Sequence, residues 1–172
     1  MALAYVKTEA RGETDRLLTA LAGQLMEQGV RVSGVVQSNV ACSDNDLCDM
    51  DVQVLPAGPS IRISQSLGRG ARGCRLDPEA LERAVGLVSR TLADGPDILI
   101  VNKFGKHEAD GRGFRPLIGE AMLAGIPVLT AVNATNEAAF RNFAEGLAQQ
   151  LPADLHHLVS WYDALAVADA TA

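Results

Sequence analysis

The chain has 172 residues, enough for one compact domain with a hydrophobic core and too few for two, so we expect a single domain over residues 1–172. Hydrophobic residues make up 48% of the chain, which excludes a disordered protein, whereas aromatic residues make up only 4%, which argues against base stacking. The formal net charge of −6 also argues against a nucleic-acid partner, because neutralising phosphates requires clustered Lys and Arg.

The sequence predicts a cytoplasmic protein. No apolar run approaches the roughly 20 residues of a membrane span, and the N-terminus lacks the basic leader and apolar stretch of a signal peptide. The odd number of cysteines, Cys42, Cys48 and Cys74, favours free thiols in a reducing compartment. Their spacing does not match a zinc site, so we expect no metal, and whether any of these thiols is reactive stays open.

The first part of the chain alternates strand-like and helix-like segments. Residues 2–6 form a short apolar run that a strand explains. Residues 14–28 carry leucines at three- and four-residue spacing, which predicts an amphipathic helix, and Gly29 stands where that helix is expected to end. Residues 31–37 are apolar and β-rich, so they predict a buried strand.

The middle of the chain, residues 38–76, predicts a β-rich excursion rather than another strand-helix unit. It shows little periodicity apart from weak alternation at residues 51–55 and clearer alternation at residues 61–66. Residues 66–75 are rich in Gly and Arg and predict a loop.

Helical order returns at Asp77, a good N-cap residue that is followed by Pro78 at the first helical position. This helix is expected to end before Gly95. Residues 97–101 then form a continuous apolar run, which is typical of a central parallel strand covered on both faces.

The same patterns predict three more elements and a tail. They are a helix over residues 114–124, a buried strand over residues 126–132 and a helix over residues 136–151 with its apolar side chains along one side. Residues 155–172 are expected to form a last strand or helix with a frayed end.

Strands separated by helices imply a three-layer α/β fold with a mostly parallel sheet and right-handed crossovers. The expected inner strands are residues 2–6, 31–37, 97–101 and 126–132. Ligands bind such sheets at the carboxyl ends of the strands. The loops after Val6, Asn102 and Val132 are therefore the places to look for a site.

The turn after the first predicted strand partly matches the phosphate-loop pattern G-x-x-x-x-G-K-[ST]. Gly12 matches the second glycine and Thr14 the hydroxyl that holds Mg²⁺, whereas Lys7 stands at the first glycine. Glu13 replaces the phosphate-binding lysine. One unit charge at about 4 Å is worth roughly 4 kcal/mol at an effective dielectric of about 20, so reversing its sign is expected to abolish conventional triphosphate binding. The turn, which includes Thr8, is either an ordinary strand-helix loop or a decayed phosphate loop whose backbone N–H groups still bind an anion.

A second cluster of charge follows the apolar strand at residues 97–101. Asn102 stands where nucleotide hydrolases place an acid that handles Mg²⁺ or water, and Glu108 is the nearest carboxylate that could act as a base. The alternative is a solvated charged loop that caps the sheet. The candidate ligand-binding residues here are Asn102, Lys103, Phe104, Gly105, Lys106, Glu108 and Arg112.

The third candidate is the Gly- and Arg-rich loop, because no acidic residue occurs between Pro59 and Leu76 in a chain that is acidic overall. Arginine side chains among glycines suit phosphate or another oxyanion. The alternative is a flexible loop whose arginines pair with nearby aspartates. The candidate ligand-binding residues are Arg69, Arg72, Cys74 and Arg75.

These stretches resemble a bacterial family, domain of unknown function 2478, whose members are small P-loop-NTPase-like proteins often encoded beside molybdate uptake genes. The resemblance implies a P-loop-NTPase-like fold over residues 15 to about 132. Glu13 and Asn102 depart from the two motifs that hold phosphate and Mg²⁺, so the resemblance does not imply ordinary hydrolysis. It rests on residues 98–106 (ILIVNKFGK), Glu108, residues 111–113 (GRG), 63–65, 73–78 and 124–130.

We therefore expect the protein to bind a small anionic ligand in molybdenum metabolism: molybdate or a related oxyanion first, a nucleotide or pterin phosphate second. The site is expected where the Gly12 turn, residues 102–112 and the arginine loop converge. The expected cationic clamps are Arg72, Arg75, Lys103 and Lys106.

One alternative is a divergent nucleoside-triphosphatase that needs Mg²⁺ and uses Glu108; another is a non-catalytic partner of a molybdenum transporter or enzyme. The sequence leaves open whether the protein is an enzyme and whether it forms a homodimer.

Overall fold

The computed structural model describes residues 2–8, 12–40, 49–65 and 75–170. The candidate residues Arg69, Arg72 and Cys74 lie outside the described residues, as do Cys42 and Cys48. The described strands are β1 (Leu3–Val6), β2 (Val32–Val40), β3 (Asp49–Leu55), β4 (Ser60–Arg62), β5 (Ile98–Phe104), β6 (Val128–Val132) and β7 (Ala148–Gln150). The described helices are α1 (Glu13–Glu27), α2 (Pro78–Ala93), α3 (Lys106–Ala109), α4 (Arg115–Leu123), α5 (Glu137–Ala144) and α6 (Leu155–Ala170).

The strands form one sheet in the order β4-β3-β2-β5-β6-β1-β7. Neighbouring strands are parallel from β2 across to β7, whereas β3 and β4 extend the sheet beyond β2 in antiparallel fashion. The structure confirms the predicted mostly parallel sheet with its four inner strands and the predicted β-rich excursion. Every residue of β1 and β6 is buried, as parallel strands covered on both faces require.

Helices cover both faces of the sheet and complete the three layers. Val35 and Val36 are consecutive on β2 yet belong to different faces, because successive side chains of a strand point to opposite sides. The core of one face includes Leu18, Leu21 and Leu25 of α1, Leu158 of α6, and Val36, Ile100 and Leu129 of the sheet. The core of the other face includes Leu81 and Val88 of α2, Ile118 of α4, Phe140 of α5, and Val35 and Val101 of the sheet.

Helix α2 begins as its sequence predicts. The Asp77 carboxylate accepts a hydrogen bond from the Ala80 backbone N–H at 3.1 Å, and Pro78 holds the first helical position. A cap of this kind stabilises a helix start by roughly 0.5–2 kcal/mol. Immediately before the helix, Leu76 forms an isolated bridge with Ser64, which holds this part of the chain against the antiparallel edge of the sheet.

The predicted helix over residues 136–151 is wrong in its second half. Helix α5 ends at Ala144, because Glu145 and Gly146 both take left-handed conformations, with φ of 47° and 83°. The chain then forms β7, which pairs in parallel with β1. Leu151, which helical spacing would place beside Phe140, packs on the opposite face of the sheet.

Strand β5 runs further than its apolar sequence predicts, as far as Phe104. Its pairing with β6 is irregular between Val101 and Phe104. Along this extension Asn102 and Phe104 are buried and Lys103 between them is exposed. The short helix α3 follows at once, so Lys103 lies on a strand end, Lys106 and Glu108 lie on a helix, and Arg112 follows that helix.

Candidate functional site

A cavity of about 410 Å³ lies toward the carboxyl ends of β2 and β5, on the face of the sheet that α2 covers. Small-molecule sites have volumes of roughly 300–1,000 Å³, and α/β sheets bind ligands at this edge. The apolar residues that line the cavity are Val35, Met50, Val52, Ile63, Leu76, Leu81, Val101 and Phe114. The polar and charged residues that line it are Gln37, Arg75, Asn102, Lys103, Lys106, His107, Glu108, Asn133 and Asn136.

Three cationic side chains, Arg75, Lys103 and Lys106, come together among the described lining residues. Lys103 and Lys106 are exposed, and neither makes an ion pair with a carboxylate in the part of the chain that the structure describes. The Arg75 guanidinium lies 3.6 Å from Asp49, whose other carboxylate oxygen is 2.7 Å from Arg62. The two lysines are therefore the charges most available to a ligand.

Asn102 ties the end of β5 to β2 and α1. Its side chain is 3% exposed; Oδ1 accepts a hydrogen bond from the Gln37 backbone N–H at 2.9 Å, and Nδ2 donates to Asp15 Oδ1 at 2.8 Å. Both ends of the amide are thus bonded inside the protein. Asn102 occupies the place of a metal-handling acid but supports the fold here.

Glu108 is the one carboxylate among the described residues that line the cavity, and it is 3% exposed. Its two oxygens accept hydrogen bonds from the backbone N–H groups of Gly105 at 2.9 Å and Phe114 at 3.1 Å. Gly113 is required beside it, because φ is 59° and a Cβ there would overlap a Glu108 oxygen. Glu108 therefore links the start of α3 to the start of α4.

His107 also lines the cavity and is 7% exposed. Its Nε2 lies 3.2 Å from Glu82 Oε1 on α2, and the same oxygen accepts the Gly113 backbone N–H at 3.0 Å. This contact fixes the imidazole ring in the cavity wall. Neutral or protonated, the ring adds no negative charge to the site.

Asn133 and Asn136 follow β6 and line the cavity beside Gly105. Asn133 Oδ1 accepts hydrogen bonds from the Asn136 backbone N–H at 3.0 Å and from Asn136 Nδ2 at 2.9 Å. The pair places two carboxamides at the carboxyl end of β6, next to the end of β5.

The Gly12 turn was expected to share this site. None of the residues of the turn that the structure describes lines the cavity. Gly12 has φ of 74° and precedes α1, whose first turn contains Glu13 and Asp15. Lys7 Nζ lies 2.6 Å from Glu137, and this hydrogen bond, with a second from Arg141, holds the pKa of the Glu137 carboxyl below its usual range.

A model of the family described as "Protein of unknown function (DUF2478)" matches residues 3–161 of the chain. The chain belongs to this family. Over 162 residues it is 35% identical to the molybdenum import ATP-binding protein ModC 2 of Bradyrhizobium diazoefficiens, an alignment that covers 93% of this chain and 18% of that protein. The chain thus spans about a fifth of the length of this curated relative.

The fold of this DUF2478 chain is similar to the solution structure of a human cancer-related nucleoside triphosphatase. The TM-score is 0.61 at 18% sequence identity, and the superposition covers 87% of this chain and 86% of the other. A likeness at this identity concerns the fold, and it agrees with the P-loop-NTPase-like architecture that the sequence predicts.

The structure brings some of the sequence-predicted ligand-binding residues together and leaves others apart. Those that line the cavity are Arg75, Asn102, Lys103, Gly105, Lys106 and Glu108. Those that the structure describes outside it are Lys7, Thr8, Gly12, Glu13, Thr14, Phe104 and Arg112. Phe104 is buried between Phe140 and Phe143, and Arg112 lies 3.7 Å from Asp110 on the surface.

Sequence reasoning missed His107, Asn133 and Asn136 as site residues. For the two asparagines a signal was present, because they follow a strongly apolar strand at the edge where ligands bind. His107 lies within residues 102–112, where the sequence predicts the site, but its place in the wall depends on Glu82, 25 residues earlier on α2.

Two further features concern the described residues as a whole. None of the described helices combines the length and apolar character that crossing a membrane requires. One group of metal-ligand side chains occurs among them, Asp154, His156 and His157, which are exposed at the start of α6 and do not line the cavity.

Proposed function

We propose that the protein binds a small phosphate-bearing organic molecule in the cavity between α2 and the end of β5. The observation that carries this proposal is that one cavity joins apolar walls to three cationic side chains, Arg75, Lys103 and Lys106. The phosphate would lie against the cations and the organic part against the apolar walls.

The charge balance of the cavity supports an anionic rather than a cationic ligand. Its described lining carries one carboxylate, Glu108, and both oxygens of that group already accept backbone hydrogen bonds. A metal ion prefers several carboxylate or carbonyl oxygens, whereas lysine and arginine have donors alone. Charge-assisted hydrogen bonds from such donors contribute roughly 1.5–3 kcal/mol each.

The walls support an organic ligand over a bare oxyanion. Molybdate is polar on every side, and eight of the described lining residues are apolar. Burying a charged group against such walls is unfavourable unless hydrogen bonds surround it. A planar ring that carries a phosphate fits both parts of the cavity, so a nucleotide or a pterin phosphate is the ligand class that we favour.

We infer that this ligand belongs to molybdenum metabolism. The support is the name of the relative from Bradyrhizobium diazoefficiens, a molybdenum import ATP-binding protein that aligns with 93% of this chain. Molybdate itself is therefore the second ligand to test.

A divergent nucleoside-triphosphatase is the second candidate function, and the fold and the ATP-binding relative favour it. In that case Lys103 would take the part of the missing phosphate-loop lysine, because Lys7 is held by Glu137. Steady release of phosphate from ATP or GTP with Mg²⁺ that disappears in Lys103→Ala would establish this function.

The test of ligand binding is a thermal-shift screen followed by calorimetry. The compounds are nucleoside mono-, di- and triphosphates, a pterin phosphate, molybdate, tungstate and inorganic phosphate, each with and without Mg²⁺. We expect Lys103→Ala to weaken binding roughly ten- to a hundredfold, and more salt to weaken wild-type binding.

The matched control is Arg90→Ala, which removes an exposed cation from the far end of α2. It should bind like the wild type. If no phosphate compound or oxyanion binds, or if Lys103→Ala binds as tightly as the wild type, the proposal is wrong and a role as a protein partner takes its place.

A further inference from the structure

The hydrogen bonds of Asn133 and Asn136 fix the orientation of both carboxamides. The Asn136 backbone N–H can donate but not accept, so the Asn133 atom that it meets at 3.0 Å is the oxygen Oδ1. The Asn136 side-chain atom 2.9 Å from the same oxygen must then be the nitrogen Nδ2. Neither amide can be turned over without losing one of these bonds.

This arrangement leaves one donor, Asn133 Nδ2, and one acceptor, Asn136 Oδ1, on two residues that both line the cavity. Asn133 Nδ2 and Asn136 Oδ1 have no hydrogen-bond partner among the residues that the structure describes. Both side chains are half-buried and line the cavity. A ligand that presents a matching acceptor and donor would satisfy both groups at once.

We propose that this amide pair recognises a lactam edge, a ring N–H next to a ring carbonyl, on the organic part of the ligand. Asn133 Nδ2 donates to the ring carbonyl, and Asn136 Oδ1 accepts from the ring N–H. Guanine and pterin both carry this edge. The inference rests on the proposed function, because it names the ring that accompanies the phosphate.

The surroundings of the pair favour a carbonyl over an exocyclic amine. Arg75, Lys103 and Lys106 line the same cavity, and their side chains offer donors alone. A ring carbonyl can accept from any donor that the phosphate leaves unused, whereas an amine would add another donor. Met50 and Leu76, which line the same cavity and are half-buried, supply apolar surfaces against which a flat ring can pack.

The test compares guanosine 5′-monophosphate with its N1-methyl derivative, which keeps the phosphate and carbonyl but loses the ring N–H. We expect the wild type to bind the unmethylated compound roughly tenfold more tightly, since the ligand covers Asn136 Oδ1 in the methylated complex and leaves this acceptor unpaired. A pterin phosphate and its methylated lactam form a second arm that distinguishes a pterin from a nucleotide.

The variant is Asn136→Ala, which removes the acceptor but keeps the backbone N–H that Asn133 binds. It should bind both guanosine compounds equally, whereas Asn142→Ala, an exposed amide on the same helix, should keep the wild-type preference. Equal wild-type binding of the methylated and unmethylated forms overturns the inference, as does a preference that persists in Asn136→Ala. If AMP binds and no lactam compound does, the inference fails and the proposed function stands. If no phosphate compound binds, both fail.

Discussion

Replacing Asn102 with aspartate restores the acid that nucleotide hydrolases carry at the end of this strand, and the structure predicts that it destabilises the protein. The substituted side chain would still accept the Gln37 backbone N–H. It could not donate to Asp15, whose carboxylate oxygen lies 2.8 Å from the Asn102 nitrogen, and two carboxylates would face each other.

The expected size of the effect follows from these two changes. Losing a hydrogen bond to a charged group costs about 1.5–3 kcal/mol. Two like charges about 4 Å apart repel by up to ~4 kcal/mol at an effective dielectric of about 20. Because the groups can share a proton, we expect a net loss of roughly 2–4 kcal/mol, or about 1–2 M in the urea midpoint.

The pH dependence has a definite sign. Two facing carboxylates favour a shared proton, which the folded variant would bind and the unfolded chain would not. Stability falls as pH rises where the folded state binds more protons, so Asn102→Asp should gain stability as pH is lowered from neutral. Urea unfolding followed by circular dichroism at several pH values measures this.

A second substitution and a control sharpen the test. Asp15→Asn combined with Asn102→Asp reverses the hydrogen bond and should recover part of the loss. Asn142→Asp adds an exposed charge and should change stability by less than about 0.5 kcal/mol. Wild-type stability in Asn102→Asp would refute the structural role of Asn102.

Four other substitutions have direct expected outcomes. Lys7 holds the pKa of Glu137 below its usual range, so this carboxylate stabilises the fold above its unfolded pKa of about 4.3 and loses that effect as pH falls through its folded pKa. Glu137→Gln should therefore make the free energy of unfolding fall less steeply as the pH is lowered into the acid range. Gly34→Ala should prevent folding, since φ is 124° and a Cβ would overlap a β5 carbonyl oxygen; circular dichroism will show this. In contrast, a Cβ at Gly86 on α2 meets nothing within 4 Å, so Gly86→Ala should be neutral or stabilise the protein by up to ~1 kcal/mol in urea unfolding. Glu13→Lys restores the phosphate-loop lysine and should raise ATP affinity in calorimetry; an unchanged affinity contradicts a decayed phosphate loop.

Strong local patterns were enough to predict most of the fold. The continuous apolar run of β5 and the cap at Asp77 each determine their element within a few residues, and both are where the sequence places them. The error at residues 136–151 has a different origin. Gly146 is a helix-stop signal that the apolar spacing outweighed, Glu145 itself gives no signal for its left-handed conformation, and β7 is held by pairing with β1, which is distant in the chain.

The candidate site was predictable in charge but not in hydrogen bonding. Lys103 and Lys106 stand out as cations after an apolar strand, and both line the cavity. The engagement of Lys7 with Glu137 joins residues 130 positions apart, so no local pattern could show it. The fixed orientation of Asn133 and Asn136 likewise depends on atomic geometry that spacing does not encode.

The position of the charges explains why the proposed anion site is not placed at the start of the first helix. In nucleotide-binding proteins of this architecture, the N-terminus of the first helix faces the phosphates with its positive dipole end. Here Glu13 and Asp15 occupy the first turn of α1, where they stabilise the helix and oppose an added anion. The available cations, Lys103 near the end of β5 and Lys106 at the start of α3, instead line a cavity on the α2 face of the sheet. Asn102 connects the two regions through Asp15, so the end of β5 supports the helix on one side and presents charge on the other.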